Sequence, residues 1–368
     1  MSTQISIDRT TTSGSLRRAL RVLINAKQPV MIWGAPGIGK STIVSDLCAE
    51  MGGAMYDLRI AQLSPEDLRG MAYFNRDSNL MCWAPPIDLP TAEDAAKYPI
   101  VFLFLDEITS APPSMQGICY QLILNRKVGT YSLPDNVVIV AAGNRETDRG
   151  ISYKMPSPLA NRLTHFTLRV DFDSWDDWAI QNRIHKHVVG FLNHSQSSLN
   201  DFDPKSSAKA FASPRTWEFV SKIMYTECDP VTLTDIISGT IGEGMALKFL
   251  AYCKNAAVLP DIRSVLNGSI TKLESTDISL MFSLITDLNY TLKAELEKAD
   301  SEKKKEEWFT SANNALTFVM ANTGPEIKVI FMRNALQKFD LPFSPKKIAV
   351  FKEFMNQVGS LVTKSVQI

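Results

Sequence analysis

The feature that most constrains this chain is a glycine-rich octapeptide placed between two contrasting patterns. Residues 34–41 read GAPGIGKS and fit the spacing G-x-x-x-x-G-K-[ST]. The run before it, PVMIW at 29–33, is continuously apolar and has the length of a buried strand, and the segment after it, STIVSDLCAEM, has a helical pattern. A strand, a tight loop and a helix in this order predict a phosphate-binding loop.

The residue types in this loop suit the chemistry of phosphate binding. Gly34, Gly37 and Gly39 permit a tight loop whose N–H groups point inward at phosphate oxygens. The positive end of a helix that begins near Lys40 adds to the attraction, and the Lys40 ammonium is placed to reach the β- and γ-phosphates. The Ser41 hydroxyl can ligate Mg²⁺. The residues predicted to bind nucleotide are Gly34, Ala35, Pro36, Gly37, Ile38, Gly39, Lys40, Ser41 and Thr42. The alternative is a glycine-rich turn that binds nothing.

Two other apolar runs end in polar residues that fit a hydrolytic site. The run IVFLFL at 100–105 is followed by Asp106, which can hold Mg²⁺, and by Glu107, which can polarise an attacking water. The run VVIVAA at 137–142 leads to Gly143 and Asn144, and the Asn144 amide could orient that water. Acidic residues often end strands and asparagine often caps loops, so each assignment depends on the neighbouring phosphate loop.

Apolar runs and helical patterns alternate through the first half of the chain. Five strands are predicted at about 29–33, 55–60, 100–105, 137–142 and 165–170, and five helices at about 14–26, 40–51, 91–97, 113–126 and 174–184. This alternation predicts a three-layer α/β fold around a parallel sheet. The segment 71–83 differs, because two β-prone runs flank a polar stretch, and it is interpreted as an inserted hairpin. Beyond about residue 200 the strand signals fade and helical patterns dominate.

Composition narrows the class of protein. The length of 368 residues suggests roughly two or three domains. Lysine plus arginine and aspartate plus glutamate both number 39, so no global basic field favours nucleic acid or anionic lipid. Five scattered cysteines do not form a disulfide framework, and no apolar run approaches the ~20 residues of a membrane helix. We therefore expect a cytoplasmic protein without a membrane segment, and we consider nucleic acid an improbable partner.

The histidines and the tryptophan-rich run carry little functional signal. His185 and His187 are two residues apart and would not share one face of a helix, so a metal cluster is not favoured. His165 lies in a strand candidate and is expected to pack. Three acidic residues lie among the rings at 172–178 and would repel a phosphate backbone, which favours helix packing over base stacking.

Taken together, the motifs resemble those of the AAA+ ATPase superfamily, within it the MoxR-like group with a helix-2 insertion. The resemblance covers about residues 14–225 and rests on the phosphate loop, the run ending in Asp106-Glu107 (Walker B) and Gly143-Asn144 in the sensor-1 position. The run SPLANRL at 157–163 looks like the short helix that carries an arginine finger, and ASPR at 212–215 looks like a sensor-2 motif. Asn161 and Leu163 flank Arg162 where the family commonly has aspartate and phenylalanine.

The resemblance implies a domain plan and further site residues. It implies a flexible segment at 1–13, an α/β core at 14–200 with an insert at about 68–88, a helical lid at 201–265 and a helical region at 266–368. Arg162 would reach the γ-phosphate held by a neighbouring subunit, and Arg215 would contact the phosphates of its own subunit. Arg145 and Arg149 follow sensor 1, and the sequence leaves open whether either faces the site.

The resemblance also implies an activity. We expect an ATP-hydrolysing, Mg²⁺-dependent ring with six subunits, which remodels or chaperones a protein client such as one with a von Willebrand factor A domain. Lys40, Glu107, Asn144, Arg162 and Arg215 would be its catalytic residues, and Ser41 and Asp106 its Mg²⁺ ligands. The competing hypotheses are a nucleic-acid-linked P-loop ATPase, such as a helicase or restriction motor, and a scaffold in which nucleotide only stabilises assembly.

Overall fold

The protein consists of two compact units. The computed structural model describes residues 10–84, 86–148, 153–256, 259–273 and 277–366. The first unit contains the described residues up to Ser174 together with Phe202–Ser207, and the second contains Trp175–Asp201 and the described residues from Ala208 onward. All the β-strands of the described residues lie in the first unit.

A six-stranded parallel sheet forms the centre of the first unit. The strands are β1 (Thr10–Thr11), β2 (Val30–Trp33), β3 (Ala54–Arg59), β4 (Met71–Asn75), β5 (Leu80–Ala84), β6 (Val101–Asp106), β7 (Lys127–Val128), β8 (Tyr131–Ser132), β9 (Val137–Gly143) and β10 (Thr164–Leu168). The large sheet has the order β1-β10-β2-β9-β6-β3, and every neighbouring pair in it is parallel. Two short antiparallel hairpins, β4-β5 and β7-β8, stand apart from this sheet.

The helices are numbered in chain order. The first unit contains α1 (Ser13–Asn25), α2 (Lys40–Glu50), α3 (Pro65–Arg69), α4 (Ala92–Ala96), α5 (Pro113–Asn125) and α6 (Ser157–Ala160). Helix α7 (Phe172–Gln181) begins in the first unit and continues into the second. The second unit adds α8 (Lys186–His194), α9 (Pro214–Met224), α10 (Pro230–Ile241), α11 (Glu243–Ala256), α12 (Ile262–Leu266), α13 (Ile278–Glu297), α14 (Glu302–Asn322), α15 (Pro325–Arg333) and α16 (Phe351–Val366).

Alternate side chains of the central strands pack on opposite faces of the sheet. Phe102 and Phe104 of β6 contact a cluster that includes residues of α1 and α2. Leu103 and Leu105, one position along, belong to the opposite cluster, which includes Met115 and other residues of α5. Strands buried on both faces are continuously apolar, as the sequence runs are. The predicted three-layer α/β fold with a parallel sheet is therefore confirmed.

The second unit is entirely helical in its described residues. Its main core is built by α12 to α16, and the apolar stripe of α13 (Met281, Leu284, Ile285, Leu288 and Leu292) is buried in it. A second group of rings joins Phe191 of α8 to Trp217 of α9 and Phe249 of α11, with ring centroids 5.4–5.5 Å apart. The stripe therefore forms part of the core of this unit.

The strands and helices predicted up to residue 184 match the structure within a few residues, and the structure adds β1, α3 and the hairpin β7-β8. The hairpin expected at 71–83 is present as β4 and β5. Within the stretch 1–13, which was expected to be a flexible tail, Thr10 and Thr11 instead pair with Thr167 and Leu168 of β10. A parallel edge supplies this pairing through the backbone, so the polar composition of the stretch gives no sign of it. In the part of the chain that the structure describes, no helix combines the length and apolarity needed to cross a bilayer.

Candidate active site

The sheet order brings the three predicted motifs to one edge. Strand β9 lies between β2 and β6, with Trp33 opposite Gly143 and Leu105 opposite Ala141. Because all three strands are parallel, their carboxyl ends meet at the same edge, where open α/β sheets bind ligands. The phosphate loop, Asp106-Glu107 and Asn144 therefore lie side by side, although the chain separates them widely.

The phosphate loop has the backbone that its glycines allow. Gly37 and Gly39 have φ angles of +77° and +90°, a region that residues with a Cβ rarely adopt. At Gly34, an added Cβ would stand 2.5 Å from Ile38 Cδ1 and 3.2 Å from the Leu168 carbonyl oxygen. The Gly34 N–H donates to the Gly143 carbonyl at 3.2 Å, which joins the start of the loop to β9. Helix α2 begins at Lys40, so its first-turn N–H groups lie next to the loop.

The Lys40 ammonium is held at the centre of this edge. It donates to the carbonyl oxygens of Gly34 and Ala35 at 2.6 and 3.0 Å, and to Oδ1 of Asn144 at 3.0 Å. The last contact directly joins the phosphate loop to the sensor-1 position. Because Oδ1 accepts from Lys40, the amide nitrogen of Asn144 is the donor end of that side chain.

Asp106 and Glu107 are both half-buried at the end of β6. The Glu107 N–H donates to Oδ1 of Asp106 at 2.9 Å, which fixes the Asp106 carboxylate. Glu107 has a φ angle of +55°, so the chain turns sharply just after the strand. Strain of this kind is found at functional sites, because the surrounding structure must enforce it. A carboxylate and the Ser41 hydroxyl are the oxygen ligands that Mg²⁺ prefers, so the donor set fits that ion.

Thr109 is a site-adjacent residue that sequence reasoning missed. It is buried two positions after Glu107, and its hydroxyl donates to the Asn144 carbonyl at 3.3 Å. A Cβ at Gly143 would stand 2.6 Å from Oγ1 of Thr109, so the glycine is what admits this side chain. The Thr109 carbonyl also accepts the N–H of Tyr153 at 2.7 Å. Thr109 thus joins the turn of Glu107 to the loop of Asn144. A threonine between Ile108 and Ser110, outside any spaced motif, gives no signal of such a role in the sequence.

Arg145 is held by a buried carboxylate beside Asn144. Its guanidinium donates from Nε and Nη2 to the Asp148 carboxylate at 2.8–3.1 Å, and its backbone N–H donates to the same group at 2.9 Å. The Asp148 side chain is 1% exposed, whereas that of Arg145 is 40% exposed. Arg145 is therefore engaged in closing its own loop. Arg149, the other arginine considered from the sequence, lies outside the described residues.

A further carboxylate, Asp57, lies near Asp106. The two strands β3 and β6 are paired, with Arg59 opposite Asp106. Burial, and then the negative charge of Asp106, raise the pKa of Asp57, while Arg59 acts in the opposite direction. Strand β3 was predicted at about 55–60, but its polar residues were not recognised as neighbours of the site.

Arg162 is half-buried just after α6. Its Nη1 donates to the Pro158 carbonyl at 3.0 Å, and its guanidinium carbon stands 5.2 Å from the centre of the Tyr120 ring. Its backbone carbonyl accepts from Gln28 Nε2 at 3.3 Å. Both side-chain contacts are with the first unit itself, which gives the guanidinium a defined position at the surface of that unit.

Arg215 belongs to the second unit and is exposed in the first turn of α9. Ser213 caps this helix in a reciprocal arrangement with Thr216, whose Oγ1 accepts the Ser213 N–H at 2.8 Å. A cation at the positive end of a helix is unfavourable by roughly 0.3–1 kcal/mol. The position is therefore better suited to binding an anion than to stabilising the helix.

Helix capping and ring packing account for His185 and for the tryptophan-rich run. Among the described residues, no group of three or more His, Cys, Asp or Glu side chains could hold a metal ion. His185 caps α8, and its ring packs edge-on against Tyr225 with centroids 4.9 Å apart. In the tryptophan-rich run, Trp175 is buried on α7, as the packing interpretation predicts.

Comparison with known families supports the interpretation of this edge. The model of the ATPase family associated with various cellular activities (AAA) matches residues 30–172, a range that contains β2, the phosphate loop, Asp106-Glu107, Asn144 and Arg162. Over 151 residues the chain is 27% identical to the protein MoxR of Methylorubrum extorquens, a match that covers 40% of this chain and 42% of that protein. The resemblance to MoxR-like AAA+ ATPases is therefore confirmed, and the aligned region spans about two fifths of this curated relative.

Solved structures give a weaker likeness. NtrX from Brucella abortus in complex with ADP is 14% identical, with a TM-score of 0.36, over 89% of this chain and 68% of that chain. A mutant of RuvB from Thermotoga maritima is 15% identical, with a TM-score of 0.37, over 69% of this chain and 75% of that chain.

Proposed function

We propose that this chain hydrolyses ATP to ADP and phosphate. The observation that carries the proposal is the hydrogen bond between Lys40 and Asn144. It lies at the edge of the sheet where β6 ends in Asp106, followed by Glu107. A phosphate-binding lysine, a polar amide and a pair of carboxylates within one edge are the groups that phosphoryl transfer to water requires. A protein that only binds nucleotide would have no use for a second carboxylate, Glu107, directly after Asp106.

The residues at this edge of the sheet have different roles in the proposed reaction. The N–H groups of residues 34–41 bind phosphate oxygens, and Lys40 neutralises their charge. Glu107 polarises the attacking water, and the amide nitrogen of Asn144 donates to that water or to the γ-phosphate. Ser41 and Asp106 would hold Mg²⁺, which supplies further charge neutralisation when bound.

We further propose that the chain acts as a ring, with a hexamer as the working hypothesis. The support is Arg162, whose defined position at the surface of the first unit suits a finger offered to a neighbouring subunit. Arginine fingers are worth roughly 10³–10⁵ in rate in other phosphoryl-transfer enzymes. Arg215 would sense the phosphates within its own subunit, which its place at a helix N-terminus favours.

The consequence of hydrolysis would be remodelling of a partner protein. The helical second unit would move against the α/β unit as nucleotide is turned over. The similarity to MoxR makes a protein client our proposal, and a von Willebrand factor A domain is the client class to test first. We propose a cytoplasmic location, in keeping with five cysteines that form no disulfide in the described structure.

The variant Glu107→Gln tests the hydrolytic step. We expect it to bind ATP as the wild type does and to lose about 10²–10⁴-fold in phosphate release, because the general base is removed while the phosphate loop is intact. Glu66→Gln, an exposed change of the same kind on α3, is the matched control and should retain full turnover. Substantial hydrolysis by Glu107→Gln would remove Glu107 from this role. Stimulation of turnover by DNA would favour a nucleic-acid-linked ATPase instead.

Mixed subunits test the ring. Lys40→Ala subunits keep the finger but lose phosphate binding, and Arg162→Ala subunits keep phosphate binding but lose the finger. We expect each variant alone to be inactive and a mixture to recover part of the turnover, through interfaces that combine an intact Lys40 with an intact Arg162. Assembly without recovery would contradict a finger that acts between subunits.

A further inference from the structure

The structure assigns to His165 a positioning role toward Arg162, a role that rests on the proposed finger function. His165 lies on β10, next to the strand that leads into the phosphate loop, with His165 opposite Met31 and Thr167 opposite Trp33. The sequence suggested only that this histidine packs in a strand. Its ring instead bridges the end of β2 to the end of α6.

Both ring nitrogens of His165 are engaged. The Trp33 indole N–H donates to Nδ1 at 2.9 Å, and the two rings are stacked with centroids 6.0 Å apart and planes 22° apart. Nε2 lies 2.8 Å from the Ala160 carbonyl oxygen. An indole nitrogen can only donate, so Nδ1 must accept, and in the neutral ring Nε2 carries the proton. His165 therefore donates to Ala160, and both contacts are satisfied by one tautomer.

The two partners stand at functional positions. Trp33 is the residue directly before Gly34, the first residue of the phosphate loop. Ala160 is the last residue of α6, two positions before Arg162. A local backbone hydrogen bond holds residues 159–162 in a turn, because the Arg162 N–H donates to the Leu159 carbonyl at 3.1 Å. His165 thus fixes the finger-bearing turn against the phosphate-loop strand of the same subunit.

This link has a functional consequence in a ring. The finger must reach the neighbour's γ-phosphate with a defined direction, and errors of about 1 Å are costly in catalysis, by up to about 100-fold. A turn of four residues has little stiffness of its own, since isolated short helices are marginal. The histidine supplies stiffness by tying the turn to the central sheet. Substitution of His165 should therefore lower turnover when it is made in the subunit that donates the finger. The same substitution in the subunit that holds the nucleotide should not.

Substitutions can separate the two contacts. His165→Asn keeps an acceptor near the Nδ1 position for Trp33 but cannot reach Ala160, whereas His165→Gln keeps a donor near the Nε2 position. Trp33→Phe keeps the stacked ring and removes the indole donor. The control is His194→Asn, an exposed histidine of the second unit that also stacks on an aromatic ring, Tyr252, at 6.5 Å and 17°.

The decisive experiment places His165→Asn on one side of the active interface at a time. In the mixture of Lys40→Ala and Arg162→Ala subunits, only Lys40→Ala subunits donate a finger. We expect His165→Asn in the Lys40→Ala subunit to lower the recovered turnover about three- to tenfold, as loss of one hydrogen bond can, with ATP affinity unchanged. The same substitution in the Arg162→Ala subunit should leave recovered turnover within about twofold. His165→Gln and Trp33→Phe should show the same asymmetry, and His194→Asn should have no effect on either side.

Two results would overturn the inference in distinguishable ways. Equal losses on both sides, or a loss confined to the nucleotide-binding subunit, would show that His165 acts through general stability or through the phosphate loop, while leaving the finger intact. Failure of the parent mixture to recover turnover would remove the finger itself, and the positioning role with it. Thermal unfolding of each variant checks that the asymmetry does not come from misfolded subunits.

Discussion

The α/β unit and the helical unit bury polar side chains in different places. In the α/β unit, buried Thr109 and Asp148 both contact the loop that follows β9, next to Asn144. In the helical unit, buried polar groups join helices far apart in the chain, as when Lys338 pairs with Asp176 of α7. The first arrangement shapes a site, and the second specifies how helices pack.

This difference follows from the two architectures. A parallel sheet collects its strand ends at one edge, so polar residues needed for chemistry gather there and must be held by neighbours. Helix packing has no such edge, and a buried polar pair can instead fix which helices meet and in what register. Substitutions in the two units should therefore change different quantities: turnover in the first unit and stability in the second.

The largest expected effect on stability is in the helical unit. The side chains of Lys338 and Asp176 are 7% and 0% exposed, the Lys338 ammonium also lies 3.7 Å from Oδ1 of Asp177, and Asp176 accepts from Asn193 at 3.1 Å. Lys338→Met leaves the Asp176 carboxylate without its cation. We expect the free energy of unfolding to fall by about 3–5 kcal/mol, measured by urea denaturation.

The double variant Lys338→Met/Asp176→Asn controls for this effect. It removes both charges and keeps an acceptor for Asn193, so most of the lost stability should return. If the double variant were no more stable than the single variant, the loss would come from packing around Lys338. The loss of stability would then reflect the shape of the Lys338 side chain and not its charge.

A smaller effect, on turnover, is expected at Thr109 in the α/β unit. Thr109→Val keeps the shape that Gly143 accommodates and removes the hydroxyl that donates to the Asn144 carbonyl. Loss of about 1 kcal/mol of positioning corresponds to a roughly fivefold lower kcat. ATP affinity should stay within about twofold, because Thr109 is hydrogen-bonded to Asn144 and Tyr153 and not to the phosphate loop. Steady-state phosphate release gives kcat and KM.

Thr286→Val in the helical unit is the matched control. Thr286 is also buried, and its hydroxyl donates to the Phe282 carbonyl at 2.7 Å. The change should leave kcat unaltered and lower stability by no more than about 1 kcal/mol. Equal losses of turnover in both variants would mean that buried threonine hydroxyls act through stability in both units.

Much of the fold could be predicted because the α/β unit follows local rules. The runs at 100–105 and 137–142 are apolar at every position, which only strands buried on both faces require, and both became central strands. The tight loop between β2 and α2 could be predicted because spaced glycines tolerate unusual backbone angles, and Gly37 and Gly39 do adopt positive φ angles. The pairing of Thr10–Thr11 escaped prediction, since a sheet edge recruits backbone groups regardless of side chain.

The supporting residues of the site could not be predicted, for a different reason. Thr109, Asp148 and Asp57 reach the site through pairings between distant strands and turns, and none belongs to a spaced motif. The same holds for the Trp33–His165 contact, which joins residues 132 positions apart in the chain. Sequence patterns identify groups that perform chemistry, whereas the residues that orient them are defined only once the sheet order is known.

The smallest expected effect is a pH dependence of stability that belongs to the helical unit. Burial, followed by the nearby His187 and Lys186, lowers the pKa of His185 to about 4. A histidine with a lowered pKa in the folded state binds fewer protons there than in the unfolded chain. Its contribution to stability is therefore complete above the ordinary histidine pKa of about 6.5 and is lost as the pH falls toward 4.

His185→Asn removes this titration and keeps a side chain that can cap α8, where the His185 ring now accepts the His187 N–H at 3.3 Å. The wild type should lose more stability than the variant between about pH 7 and pH 5, by roughly 1 kcal/mol once partial exposure of the ring is allowed for. Urea midpoints at both pH values measure the difference. The histidine of the α/β unit, His165, is exposed, so the turnover of Thr109→Val relative to wild type should show no matching change over this range. A parallel loss in both would mean that the two units do not respond to pH separately.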